Sequence, residues 1–274
     1  MTPGPAMLRV RVLGSGTSMG VPVIGCQCPV CRSADPCNKR LRSSIALEAG
    51  DCHLLVDCSI DFRAQMLRWP MPWIDAILLT HVHSDHVSGL DDLRAYNFLQ
   101  RKRIPVYSTR PFLEQLEQRF AYCFHPAQAG GGVPQIEPRA IEPGHSFEVK
   151  GLSVLPVEIL HGRLPILGFR IGSLAYLTDC SEVPAAARAN LEGLDVLILS
   201  ALRHTPHPTH FSLGEAMETA RQLGVRRVYF THVGDELDHQ ATNRRLPEWA
   251  QLAYDGQRIE VPYAPTAKGL GAIS

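Results

Sequence analysis

The chain has 274 residues, 45% of them hydrophobic, and 27 Lys plus Arg balance 27 Asp plus Glu, leaving no formal net charge at pH 7. That balance argues against broad binding to nucleic acid or a membrane surface, and the ordinary apolar fraction argues against disorder. The apolar runs stop well short of a bilayer span, and the start of the chain lacks the basic segment of a signal peptide, so a cytoplasmic protein with no membrane partner is expected.

At roughly 150 residues per domain the length allows one large domain or two small ones. Composition does not shift along the chain and no repeat appears, which favours a single domain over residues 1–274. Short β-rich runs are predicted as strands at Leu8–Leu13, Ser44–Leu47, His53–Val56 and Ala76–Leu79. Apolar spacing near 3.6 predicts helices at Phe62–Arg68, Leu90–Gln100 and Arg110–Phe120, and the run Gly130–Gly132 marks a loop. Further strands are expected at Leu152–Leu155, Gly168–Ile171, Leu174–Leu177, Val196–Leu199, Arg227–Phe230 and Ile259–Val261. Between these lie helices at Pro184–Asn190 and Leu213–Leu223, the latter opened by Ser212 with Glu215 three residues on, a capping-box spacing. Strands and helices mixed in this way imply an α/β layered fold with helices outside sheets.

Three apolar strands end alike, in Thr80-His81, Thr178-Asp179 and Thr231-His232. Each delivers a metal-capable side chain just past the last apolar residue, and open α/β sheets commonly place their ligand site at strand ends. The densest signal is His81-Val82-His83-Ser84-Asp85-His86. A tight loop aims such a set into one site, and neutral imidazoles with a carboxylate suit zinc, manganese or iron. A second cluster, Cys26, Cys28 and Cys31, offers three thiolates within the loop 25–38 and reads as a zinc knuckle that needs one more ligand. The turn Gly14–Gly20 lacks the G-x-G-x-x-G spacing, and Pro22 and the cysteines replace the expected helix, so a nucleotide cofactor is rejected. Cys52, Cys58, Cys123 and Cys180 read as ordinary core thiols.

These residues resemble the metallo-β-lactamase fold superfamily through His81–His86. They resemble its phosphodiesterase branch, which includes the phosphoribosyl cyclic phosphate phosphodiesterase of carbon–phosphorus lyase systems, through Leu13–Pro22, Cys26–Cys31 and Pro208–Ser212. The resemblance implies a four-layer αβ/βα sandwich with a dinuclear site. His81, His83 and His161 would hold one metal, Asp85, His86 and His232 the other, and Asp179 would bridge them. It also implies two divalent ions, manganese or zinc, and a phosphodiesterase that attacks a small cyclic phosphate or similar diester with a metal-bridging hydroxide. His210 stands where this branch carries a phosphate-contacting histidine, for transition-state stabilisation or general-acid work, and Asp85 is a ligand that can also shuttle a proton.

In the resembling enzymes a His three residues past the last active-site His completes a structural zinc site. Here that position is Asp235, with Cys37 and His239 as competitors for the fourth ligand. The expected partner is a small-molecule phosphodiester, with a homodimer open. A thioester or lactone hydrolase is the alternative activity. An RNA-processing nuclease is disfavoured by the neutral charge, and a non-enzymatic scaffold by the complete ligand set.

Overall fold

The structure, a computed structural model, describes residues 6–125 and 132–263. Residues 1–5 and 264–274 of the expected domain, and most of the glycine run 130–132, lie outside the described residues.

One seven-stranded sheet contains β1 (Ala6–Gly14), β2 (Ser44–Ala49), β3 (Cys52–Val56), β4 (Ala76–Leu78), β5 (Ile104–Ser108) and β6 (Ile136–Ala140). The other is formed by β7 (Phe147–Val149), β8 (Leu152–His161), β9 (Leu164–Ile171), β10 (Leu174–Leu177), β11 (Val196–Ser200), β12 (Arg227–Thr231) and β13 (Ala250–Leu252). The last strand, β14 (Arg258–Tyr263), returns to the first sheet, giving the orders β14-β1-β2-β3-β4-β5-β6 and β13-β12-β11-β10-β9-β8-β7. Pairing changes from antiparallel to parallel at β3 in one sheet and at β10 in the other.

Period-2 alternation assigns each strand residue to a layer. Leu54, Val56 and Leu78 join Phe169, Tyr176 and Ile198 in the core between the sheets. Leu55, Ile77 and Leu197 instead belong to the core formed with helical residues such as Phe62, Leu116 and Ala220. Strands such as β11 are buried at every position because both faces are covered, which is why they read as unbroken apolar runs. The result is the helix–sheet–sheet–helix sandwich that the sequence implied.

Departures from the expected elements have local causes. β5 and β6 carry Pro105 and Pro138, which break the strand signal in sequence; β6 tolerates its proline as an edge strand with exposed positions. β7 and β13 have three residues each and give no periodicity. The helix expected at Leu90–Gln100 is split into a 3-10 segment, Ser88–Leu93, and an α-helix, Arg94–Gln100. The helix Leu213–Gln222 begins as expected: Ser212 Oγ accepts from Glu215 N at 3.3 Å, and Glu215 Oε2 accepts from Ser212 N at 2.8 Å.

Candidate metal centre

Both sheets deliver side chains to one edge. From the first sheet, β4 runs out into Leu79 and Thr80, and the chain then turns through His81–His83 into the short helix Ser84–Val87 that carries Asp85 and His86. From the second, His161 ends β8, Asp179 lies two residues past β10 and His232 follows β12 directly. Asp179 and His232 take left-handed backbone conformations, φ 54° and 55°. For residues other than glycine these are costly and accumulate at functional sites.

The donors fall into two groups, His81, His83, His161 with Asp179, and Asp85, His86, His232 with Asp179, each with ligand atoms within 4.8 Å of one another. Asp179 therefore stands between the groups, as expected. His86 Nε2 lies 3.2 Å from Asp85 Oδ2 and 3.3 Å from Asp179 Oδ1, and His232 Nε2 lies 3.3 Å from Asp179 Oδ2. Two ligands of one tetrahedral ion at ~2.0–2.1 Å would be about 3.3 Å apart. The Nε2 atoms of His81, His86 and His232 are buried without a hydrogen-bond partner. Buried polar groups are rarely left so, and these three, split between the two groups around Asp179, fit bound cations.

Three of the ligand rings are tied down at the opposite nitrogen, which fixes them as metal sites require, while His232 Nδ1 is buried without a partner. His81 Nδ1 meets Thr80 Oγ1 at 2.9 Å, His161 Nδ1 meets the Thr209 carbonyl at 2.8 Å and His86 Nδ1 meets Asp57 Oδ2 at 2.7 Å. Burial drives His81 well below the ordinary histidine range, favouring the neutral form that binds metal. Asp179 is held well below the carboxylate range: burial opposes ionisation, but the charges of His232 and His86 outweigh it.

Asp57 was not foreseen. It is fully buried, adopts φ 60°, and accepts from Thr80 N at 2.9 Å as well as holding His86. A signal was present, because Leu54-Leu55-Val56-Asp57 is again an apolar strand running out into a metal-capable side chain, though without the Thr that precedes the other three.

His210 comes to the same place. Its ring stacks on His232, with centroids 4.7 Å apart and 17° between planes, and lies 4.5 Å from His161. Its Nδ1 is buried and unpartnered, and burial together with His232 pushes its pKa down to about 3. A pocket of about 270 Å³ opens over His210 and His232, walled by Thr17, Ser18, Arg203 and His207. The glycine-rich turn thus borders the site. Its glycines allow the close approach of the Arg40–Arg42 backbone, since a Cβ on Gly14 would sit 1.9 Å from the Arg42 carbonyl oxygen.

The second cluster also assembles. The thiols of Cys26, Cys28 and Cys31 lie 3.3, 3.5 and 3.5 Å from Asp235 Oδ2. A tetrahedral zinc with Zn–S of ~2.3 Å and Zn–O of ~2.0 Å would separate its sulfur and oxygen ligands by about 3.5 Å. Asp235 thus completes a four-donor group with the three thiols. Cys37 and His239 stand outside the group, and His239 Nε2 instead meets Asn243 Nδ2 at 3.1 Å. Cys52, Cys58, Cys123 and Cys180 are buried free thiols, as read from sequence.

Residues 53–233 match the model of the β-lactamase superfamily domain. The chain belongs to the β-lactamase superfamily. A PhnP-family diphosphatase of known structure is 42% identical, with a TM-score of 0.87 over 93% of this superfamily member and 97% of that chain. Zn²⁺-bound PqqB from Methylobacterium extorquens, 23% identical with a TM-score of 0.75 over 92% and 99% of the two chains, shares the fold. An octanoyltransferase of Porphyromonas gingivalis (strain ATCC BAA-308 / W83) is 39% identical over 91% of this chain but 51% of its own length, so this superfamily member spans about half of that relative. The phosphodiesterase-branch resemblance read from Leu13–Pro22, Cys26–Cys31 and Pro208–Ser212 agrees with the diphosphatase likeness. Superfamily and site together support a metal-dependent hydrolase, with His and Asp groups that could bind divalent metal. Among the described residues no helix is long and apolar enough to cross a membrane.

Proposed function

We propose that this superfamily member is a dinuclear phosphodiesterase acting on a small cyclic phosphate or similar diester. The observation that carries this reading is His210 stacked over two four-donor groups that share Asp179. Two divalent ions, manganese or zinc, would supply an activated water and offset charge on the diester oxygens. His81, His83 and His161 would hold one, Asp85, His86 and His232 the other, with Asp179 common to both. His210, kept neutral by its depressed pKa, is placed to donate a hydrogen bond to a phosphoryl oxygen or to the leaving oxygen, and Asp85 to pass a proton while ligating. Burial of His81, His86, Asp179 and His232 lowers the local dielectric and strengthens the electrostatic contacts among them.

A small substrate is favoured over a nucleic-acid chain because 27 basic residues balance 27 acidic ones, leaving no excess charge to hold a polyanion. The 42% identity to a diphosphatase supports phosphate chemistry in particular. We further assign a structural zinc to Cys26, Cys28, Cys31 and Asp235, which would tie the N-terminal loop to the loop that carries His232.

His210→Ala tests the reading. With bis(4-nitrophenyl) phosphate and manganese-loaded protein, kcat falls roughly 10²–10³-fold while metal content is unchanged, the usual cost of losing one stabilising donor. Equal kcat in the variant would remove His210 from the reaction. Turnover of thioesters but of no diester by the metal-loaded protein would overturn the phosphodiesterase assignment.

A further inference from the structure

Beside the metal pocket lies a second depression of about 450 Å³, between the helix Leu213–Gln222 and the short helix His239–Asn243. The two are continuous along the chain. Glu236 lines both, and the loop that presents Arg203, His207 and His210 to the metal pocket presents His204 and Leu213 to its neighbour.

The volume falls in the range of small-ligand sites. One wall is apolar, built from Leu213, Met217, Ala241 and Leu246. The border carries Glu236, Asp238 and Arg245, of which Asp238 is already engaged by Ala241 N at 2.8 Å and Asn38 Nδ2 at 2.8 Å. Glu236 is exposed and, among the described residues, has no hydrogen-bond or ion-pair partner for its side chain. A carboxylate with free acceptors beside an apolar shelf matches a flat heterocycle that carries N–H donors on one edge and a π-face on the other. The floor is preformed, because buried Arg40 donates to the carbonyls of Gly234 at 2.8 Å and Leu237 at 2.7 Å, fixing the segment on which Glu236 stands.

We propose that this depression is a base subsite, holding an amino-bearing heterocycle of the guanine type attached to the diester, with Glu236 accepting from its donor edge and Met217 and Ala241 packing against its face. The inference rests on the phosphodiesterase reading, and the two are separated by the assay. Guanosine 5′-(4-nitrophenyl phosphate) and methyl 4-nitrophenyl phosphate release the same phenolate and differ only in the group offered to the subsite. In manganese-loaded protein, Ala241→Trp fills the shelf and lowers the guanosine-to-methyl ratio of kcat/KM at least tenfold.

Glu236→Gln, a conservative exposed change, weakens binding of guanosine monophosphate about 5–20-fold by calorimetry, the value of one base-edge contact. An unchanged ratio in Ala241→Trp, or an equal loss on both esters, overturns the subsite. Should wild-type protein cleave neither ester, the phosphodiesterase reading falls and guanosine monophosphate binding decides the subsite alone. Binding weakened by both substitutions upholds it, and binding equal to wild type overturns it.

Discussion

Arg40→Met isolates the strut beneath both pockets. Arg40 is 2% exposed, and its guanidinium donates to Gly234 O at 2.8 Å, Leu237 O at 2.7 Å and Asn38 Oδ1 at 3.0 Å. Burial lowers its pKa to about 10, so it stays charged at neutral pH. Methionine keeps the apolar stem and removes every donor. Asn38 Oδ1 retains the backbone N–H of His239 at 2.9 Å, so two carbonyls, those of Gly234 and Leu237, lose the guanidinium. Each orphaned buried acceptor costs about 1–3 kcal/mol. Relief from burying a cation offsets part of that sum, leaving a net loss of about 2–4 kcal/mol. Urea unfolding of the metal-loaded protein, followed by circular dichroism with the slope m unchanged, measures the loss as a shift in midpoint. A loss below about 1 kcal/mol would mean that the 234–238 segment is held by other contacts, and the account of Arg40 as its strut would be wrong.

Two further outcomes are expected. Asp57→Ala frees the His86 ring and lowers active-site metal affinity roughly 10–100-fold in chelator competition, as loss of an orienting partner does; unchanged affinity would show that His86 needs no such support. Cys31→Ala removes one metal per chain and, for a site saturated about 100-fold, about 2.7 kcal/mol of stability, or about 5–10 °C in Tm by calorimetry; an unchanged metal count would remove the zinc assignment at Asp235.

Much of the centre was legible because its signals are short-range. Thr80-His81, Thr178-Asp179 and Thr231-His232 each mark a strand running out at the sheet edge, and the structure brings all three to one point. Resemblance supplied what spacing cannot, the joining of His161 and His232 to a motif more than half the chain away from the latter. Asp57 escaped because Val56-Asp57-Cys58-Ser59 reads as a strand followed by a polar turn, and its partner His86 is 29 residues on. Arg40 has no local signal that sets it apart from a surface arginine. Its role depends on carbonyls 194 and 197 residues away, which no local pattern encodes. Arg42 is paired with Asp61 at 3.3 Å, whereas Arg203 lines the pocket. The proline-bearing strands β5 and β6 were lost for the opposite reason, a strong local signal that the parallel sheet overrides.

The central claim, that one edge of the sandwich holds two divalent ions which the hydrolysis requires, is tested most directly by counting metals while measuring turnover. Wild-type and His81→Ala proteins, both reconstituted with manganese, are assayed for bound metal by mass spectrometry and for hydrolysis of bis(4-nitrophenyl) phosphate. The account predicts two active-site ions per wild-type chain, and in the variant at least one ion lost with turnover reduced roughly 10³-fold or more. Wild-type turnover in the variant, or turnover by a wild-type protein holding no metal at this site, would contradict it.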